Sequence, residues 1–186
     1  AVDAIRKTGG NNATRNLVVN TYGACNGYDT WNTHLKDPLT NLTIPEGETN
    51  HIAVQIHAYP SIEKGINGYK SLVDDMYSAL NTNFVSKGIP VIIGEWGTSN
   101  VDEGTGKTDY DVRRDAMFEF VDYWVKSAKD LGIATFYWMG LSHGAYREIP
   151  AFNQADLAER IVKAYHGDNY HGEYPTATIE HIVKYT

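Results

Sequence analysis

Glu95 is the residue whose setting in the sequence most clearly suggests chemistry. It follows Pro90-Val91-Ile92-Ile93-Gly94 and precedes Trp96-Gly97. Three β-branched residues after a proline read as a short, fully buried strand. A carboxylate at the end of such a strand is costly to bury without partners. Two other strand ends offer groups that could meet it. His57 and Tyr59 are two residues apart near the end of the run from His51 to Pro60, so both point to one face. Trp138 closes the run Ile133-Ala134-Thr135-Phe136-Tyr137-Trp138-Met139. If these strands are parallel, all three ends lie on one rim, where an α/β barrel places its chemistry. A glutamate beside a histidine, a tyrosine and flat rings suits glycoside hydrolysis. The carboxylate attacks the anomeric carbon, the phenol orients it, and tryptophan stacks under a sugar.

The elements that must position these groups alternate. Val2 to Lys7 reads as the last turns of a helix stopped by Gly9-Gly10, and a strand follows from Asn16 to Tyr22. A long turn-rich stretch reaches Asn50 and holds Trp31, Tyr28 and Cys25. After the His51–Pro60 strand, Leu72, Met76, Leu80 and Phe84 mark a helix that ends at Gly88. The Pro90 strand comes next, running to Gly94. A second helix, capped by Thr108 or Asp109, carries a stripe of Val112, Ala116, Met117, Phe120, Val121, Trp124, Ala128 and Leu131. The Ile133 strand is followed by a helix from near Asn153 with Leu157, Ile161, Ala164 and Tyr165. Thr176 to Tyr185 reads as a short terminal helix.

Strand–helix alternation of this kind predicts an α/β fold with parallel strands. Four such units are about half of a (β/α)8 TIM barrel, which typically needs about 250 residues. The alternative is a doubly wound open sheet, though neither a Gly-x-Gly-x-x-Gly nor a Walker pattern marks a phosphate site. At 186 residues the chain reads as one unit, 1–186, with 168–186 as its tail. A formal net charge of -7 argues against a grip on nucleic-acid backbones, and no apolar run is long enough to span a membrane. One cysteine, Cys25, forms no internal disulfide. His34, His51 and His143 lack His-x-x-x-His spacing, so no metal site is expected. Glu46, Glu48, Glu63, Glu103 and Glu148 read as solvated loop charges.

The stretches His57-Ala58-Tyr59-Pro60, Val91-Ile92-Ile93-Gly94-Glu95-Trp96-Gly97 and Phe136-Tyr137-Trp138 resemble strands six, seven and eight of glycoside hydrolase family 5. Within it they most resemble the cellulases, the endo-β-1,4-glucanases. Asp109 to Gly132 resembles that family's seventh helix, including the pair Arg113 and Arg114. The resemblance implies that the chain holds strands five to eight, the carboxyl-terminal half of the barrel. It implies Glu95 as catalytic nucleophile and His57 and Tyr59 as the sixth-strand pair beside it. Trp138 becomes the floor of the cleavage subsite, with Trp96 and Trp31 as further substrate-binding aromatics. No cofactor is implied, the substrate is a β-glucan, and the setting is extracellular.

The family's acid/base glutamate stands in an Asn-Glu-Pro turn, a tripeptide this sequence lacks. Retaining hydrolysis needs two carboxyl groups about 5–5.5 Å apart, so Glu95 supplies only the nucleophile. Three expectations follow. A complementary amino-terminal half-barrel brings the acid/base; or a second copy of the chain closes a homodimeric barrel with altered chemistry; or the half-barrel is a β-glucan-binding module without turnover. In each of the first two, pairing covers the open sheet edges of a half-barrel.

Overall fold

A computed structural model describes residues 2–20, 51–99, 104–138 and 151–177. Among them lie four strands, β1 (Leu17–Asn20), β2 (Ile52–Ala58), β3 (Val91–Trp96) and β4 (Ala134–Tyr137). The helices are α1 (Val2–Arg6), α2 (Ile66–Asn83), α3 (Asp109–Val112), α4 (Arg114–Asp130) and α5 (Ala155–His166). Every strand pairing is parallel, and the spatial order is β1-β2-β3-β4. Each strand therefore sits beside its successor in the chain. A doubly wound sheet reverses its strand order at a switch point, and this sheet has no such reversal among the described residues.

The helices follow the apolar periodicity, with corrections of detail. The buried residues of α2 are Tyr69, Val73, Met76, Tyr77 and Leu80; Leu72, expected among them, is only half-buried. Gly88 stops the following 3-10 turn in the left-handed region, φ 76°, a conformation that costs glycine nothing. The helix expected after Thr108 is two. Arg113, at φ -138° and ψ 46°, breaks it into α3 and α4. That break turns Val112 out to solvent, 53% exposed, although it was expected in the stripe. At the start of α3 the Asp111 carboxylate accepts from the Thr108 backbone N–H at 2.8 Å and hydroxyl at 3.0 Å. Most of the tail's expected helix, residues 178–185, lies outside the described residues. Before it, Phe152 and Thr176 form an isolated parallel bridge.

One face of the sheet is packed by helices, and the other, the open face, has no element over it among the described residues. Val54, Ile56, Ala58, Val91, Ile93 and Trp96 join buried residues of α2, α4 and α5 in a single core. Burial of this layer stabilises the fold at about 25 cal/mol per Å² of apolar surface removed from water. The side chains between them point away from the helices. Gln55 and His57 of β2 lie there, half-buried, and Phe136 and Trp138 are 58% and 47% exposed.

Candidate active site

Where Glu95 points is decided by one extra residue. The ladder pairs Val54 with Val91, Gln55 with Ile92 and Ile56 with Ile93; the next pair is His57 with Glu95, so Gly94 has no opposite number. On the other side, Ile93 pairs with Thr135 and Trp96 with Tyr137, three residues advancing against two. This is a β-bulge, rare between parallel strands and frequent beside active sites. Strict alternation would send Glu95 inward with Val91 and Ile93, and Trp96 outward. The bulge inverts this, so Glu95 joins His57 on the open face. Gly94 also leaves room for a neighbour: a Cβ on it would lie 2.6 Å from the Gln55 side-chain amide carbon, so that amide would have to swing aside.

Three sequence-predicted residues converge there. The Tyr59 hydroxyl donates to Glu95 Oε2 at 2.5 Å. His57 Nδ1 stands 3.4 Å from the same oxygen, with side chains 14% and 27% exposed for His57 and Glu95. Both partners address Oε2, and Oε1 accepts no hydrogen bond among the described residues. Burial pushes the Tyr59 phenol well above its ordinary value, helped by its hydrogen bond to Glu95 and by that carboxylate's charge. Tyr59 is therefore a donor across the whole neutral range. Among the described residues this carboxylate is held by one short charge-assisted bond through Oε2 and accepts none through Oε1, the form of an oriented nucleophile.

Trp138 follows β4 on the same rim. Its backbone N–H donates to the Trp96 carbonyl at 2.7 Å, and a Cβ on Gly97 would come 2.7 Å from the Trp138 carbonyl oxygen and 3.7 Å from the Tyr59 ring. Gly97 thus lets the ends of β2, β3 and β4 close up. Its half-exposed ring leaves Trp138 available to a ligand.

Trp96 is a correction. It was expected to bind substrate, but it is fully buried, stacked on Trp124 at 5.6 Å and 21° and edge-on to Tyr137 at 5.1 Å. The bulge that delivers Glu95 to the open face delivers its neighbour to the core. Trp124 is a core residue as its helical stripe predicted. Trp31 lies outside the described residues. The arginine pair makes structural contacts: Arg113 reaches buried Asp109 at 2.8 Å, and Arg114 pairs with Asp156 while lying 4.5 Å over the Tyr110 ring.

Set beside known proteins, residues 1–144 match the family model described as cellulase (glycosyl hydrolase family 5). The chain belongs to glycosyl hydrolase family 5. That family's fold is a (β/α)8 barrel, and sequential parallel order in the sheet agrees with it. Endoglucanase B of Neocallimastix patriciarum is 30% identical over 147 residues, covering 74% of this chain and 27% of that protein. Endoglucanase A of Clostridium longisporum is 29% identical over 151 residues, covering 74% and 25%. Among solved structures, a GH5-4 broad specificity endoglucanase from an uncultured bacterium is 64% identical with a TM-score of 0.74, covering 89% of this chain and 44% of that one. A GH5 xyloglucan-specific endo-β-1,4-glucanase from a metagenomic library, in complex with cellotriose, is 25% identical with a TM-score of 0.55, covering 88% and 47%. The family 5 chain thus spans about a quarter of these curated relatives' length and under half of these solved chains.

One residue of the site escaped the sequence reading. The Gln55 Nε2 lies 3.1 Å from His57 Nε2, on the ring edge opposite Glu95. Its position two residues before His57, on the same strand face, was the available signal.

Proposed function

We propose that this chain supplies the nucleophile side of a retaining endo-β-1,4-glucanase site acting on cellulose or related β-glucans. The observation that carries the reading is Glu95, held through Oε2 by Tyr59 at 2.5 Å at the carboxyl end of a parallel strand. Oε1 attacks the anomeric carbon as the glycosidic C–O bond breaks. The leaving oxygen takes its proton from a second carboxylic acid, and a glycosyl ester forms on Glu95. Water, deprotonated by that second carboxylate, then cleaves the ester with retention of configuration. Trp138 stacks beneath the sugar at the cleavage point, and no metal or organic cofactor enters the scheme.

The second carboxyl group belongs to the rest of the barrel, the half built from strands one to four. One observation favours that arrangement over a closed pair of copies: the 64% identical endoglucanase has this chain matched to 44% of its length. The sheet face that carries Val18 and Phe136, 51% and 58% exposed, is apolar surface that either kind of barrel interior would cover. Such a protein acts on polysaccharide outside the cell. No helix among the described residues is long and apolar enough to cross a membrane.

The test is Glu95→Gln in the full-length protein with cello-oligosaccharides. Loss of a nucleophile should lower kcat by more than about 10^4-fold while binding persists. Hydrolysis by Glu95→Gln at near wild-type rate would overturn the reading. Binding without turnover in wild type and variant alike would instead mark a β-glucan-binding module.

A further inference from the structure

We propose that Gln55 is a positioning residue that fixes the tautomer of His57, so that Nδ1–H faces Glu95. The proposal rests on the nucleophile reading of Glu95 for its catalytic meaning, but its geometry stands alone. The Gln55 side-chain amide meets His57 Nε2 at 3.1 Å, and with its nitrogen toward the ring, the orientation that the carboxylate on the opposite edge favours, it can only donate. Nε2 must then offer its lone pair, and the neutral ring carries its proton on Nδ1. The other edge of the ring demands the same state. A carboxylate only accepts, and Glu95 Oε2 is 3.4 Å from Nδ1. That distance exceeds an ordinary hydrogen bond, so the contact is electrostatic, and its sign depends on which nitrogen is protonated. With the proton on Nε2, the Nδ1 lone pair would repel Oε2. With it on Nδ1, the ring draws Oε2 toward itself and Tyr59, and leaves Oε1 open.

Space for this relay is built into the strand. Gln55 reaches into the volume a side chain at position 94 would fill, where a Cβ would lie 2.6 Å from its amide carbon and 2.8 Å from its nitrogen. The bulge residue Gly94 therefore serves two ends: it turns Glu95 to the open face and makes room for the amide that orients its neighbour. Outer partners of this kind are commonly worth about 10–100-fold in the metal-site histidines where they have been measured. We expect a loss of kcat in that range for Gln55→Leu, with KM nearly unchanged.

The decisive readout is spectroscopic and needs no turnover. In full-length protein carrying ¹⁵N-histidine, His57 is assigned by comparison with His57→Asn. At neutral pH the wild-type ring should show a protonated Nδ1 and an unprotonated Nε2. Gln55→Glu, of the same size but able only to accept, should put a proton on Nε2. Gln55→Leu leaves only the Glu95 edge to hold the ring and should raise the share of the Nε2-protonated tautomer. A wild-type His57 protonated on Nε2 would overturn the proposal, and so would a Gln55→Glu ring identical to wild type. The wild-type spectrum alone decides if a variant fails to fold. Activity in Glu95→Gln with the predicted ¹⁵N pattern would remove the nucleophile reading and leave the tautomer assignment standing.

Discussion

Trp96 and Trp138 bracket the site in sequence-motif terms, yet one is fully buried and the other 47% exposed, and truncating each separates packing from binding. Trp96 is fully buried among Trp124, Phe120 and Tyr137. Removing a buried tryptophan costs about 3–5 kcal/mol. Its Nε1 is buried without a hydrogen-bond partner among the described residues, so truncation also removes a desolvated donor worth about 1–3 kcal/mol. The net expectation for Trp96→Ala is therefore the low end, about 3 kcal/mol. At about 2–4 °C per kcal/mol for a domain of 150–250 residues, Tm falls by roughly 6–12 °C, and by less in a larger barrel. Trp138, half-exposed, should cost under about 1 kcal/mol in stability. Its loss should instead weaken cello-oligosaccharide binding by about tenfold, about 1.4 kcal/mol. Urea unfolding and calorimetric titration on both full-length variants read the two quantities separately. Trp96→Ala with unchanged stability and lost affinity would refute the core assignment and restore Trp96 to the substrate.

Three further outcomes follow from single contacts. Tyr59→Phe removes a charge-assisted hydrogen bond worth about 1.5–3 kcal/mol, so kcat should fall roughly 10- to 150-fold with the fold intact; steady-state kinetics and far-UV dichroism check this. Gly97→Ala drives a Cβ to 2.7 Å from the Trp138 carbonyl, a backbone atom that cannot step aside, and should destabilise by about 1–3 kcal/mol in urea unfolding. Tyr69 has a buried hydroxyl without a partner among the described residues, and burial pushes it up to about 12, with Glu119, Tyr123 and Asp122 adding to the rise. A raised phenol contributes stability that is fully present below its unfolded value of about 10 and is lost as pH climbs through about 12. Tyr69→Phe should therefore be neutral or stabilising at pH 7, by up to about 1 kcal/mol, and should blunt unfolding between pH 10 and pH 12 in an alkaline titration.

Much of this was legible because the signals are short-range. The strands are apolar runs, α2, α4 and α5 carry one apolar stripe each, and parallel alternation puts three strand ends on one rim. What escaped depended on a ladder that the sequence does not print. Glu95 and Trp96 exchange faces through a single unpaired glycine, and a glycine inside a strand was the hint. Arg113 breaks the helix after Thr108 without a proline or glycine to announce it, which is why Val112 was expected inside. Gln55 drew no attention because an amide in a strand is ordinarily a solvent-facing residue. Its role appears only once the register sets it beside His57 and the empty side of Gly94.

The central claim is that Glu95 becomes covalently bonded to sugar. A 2-fluoro-substituted cellobioside with a good leaving group slows both steps of a double displacement and lets the ester accumulate. Incubated with the full-length protein, digested and weighed by mass spectrometry, it should label the peptide that contains Gly94-Glu95-Trp96-Gly97, and Glu95→Gln should abolish the label. A label on a different carboxylate, in protein that hydrolyses cello-oligosaccharides, would contradict the account.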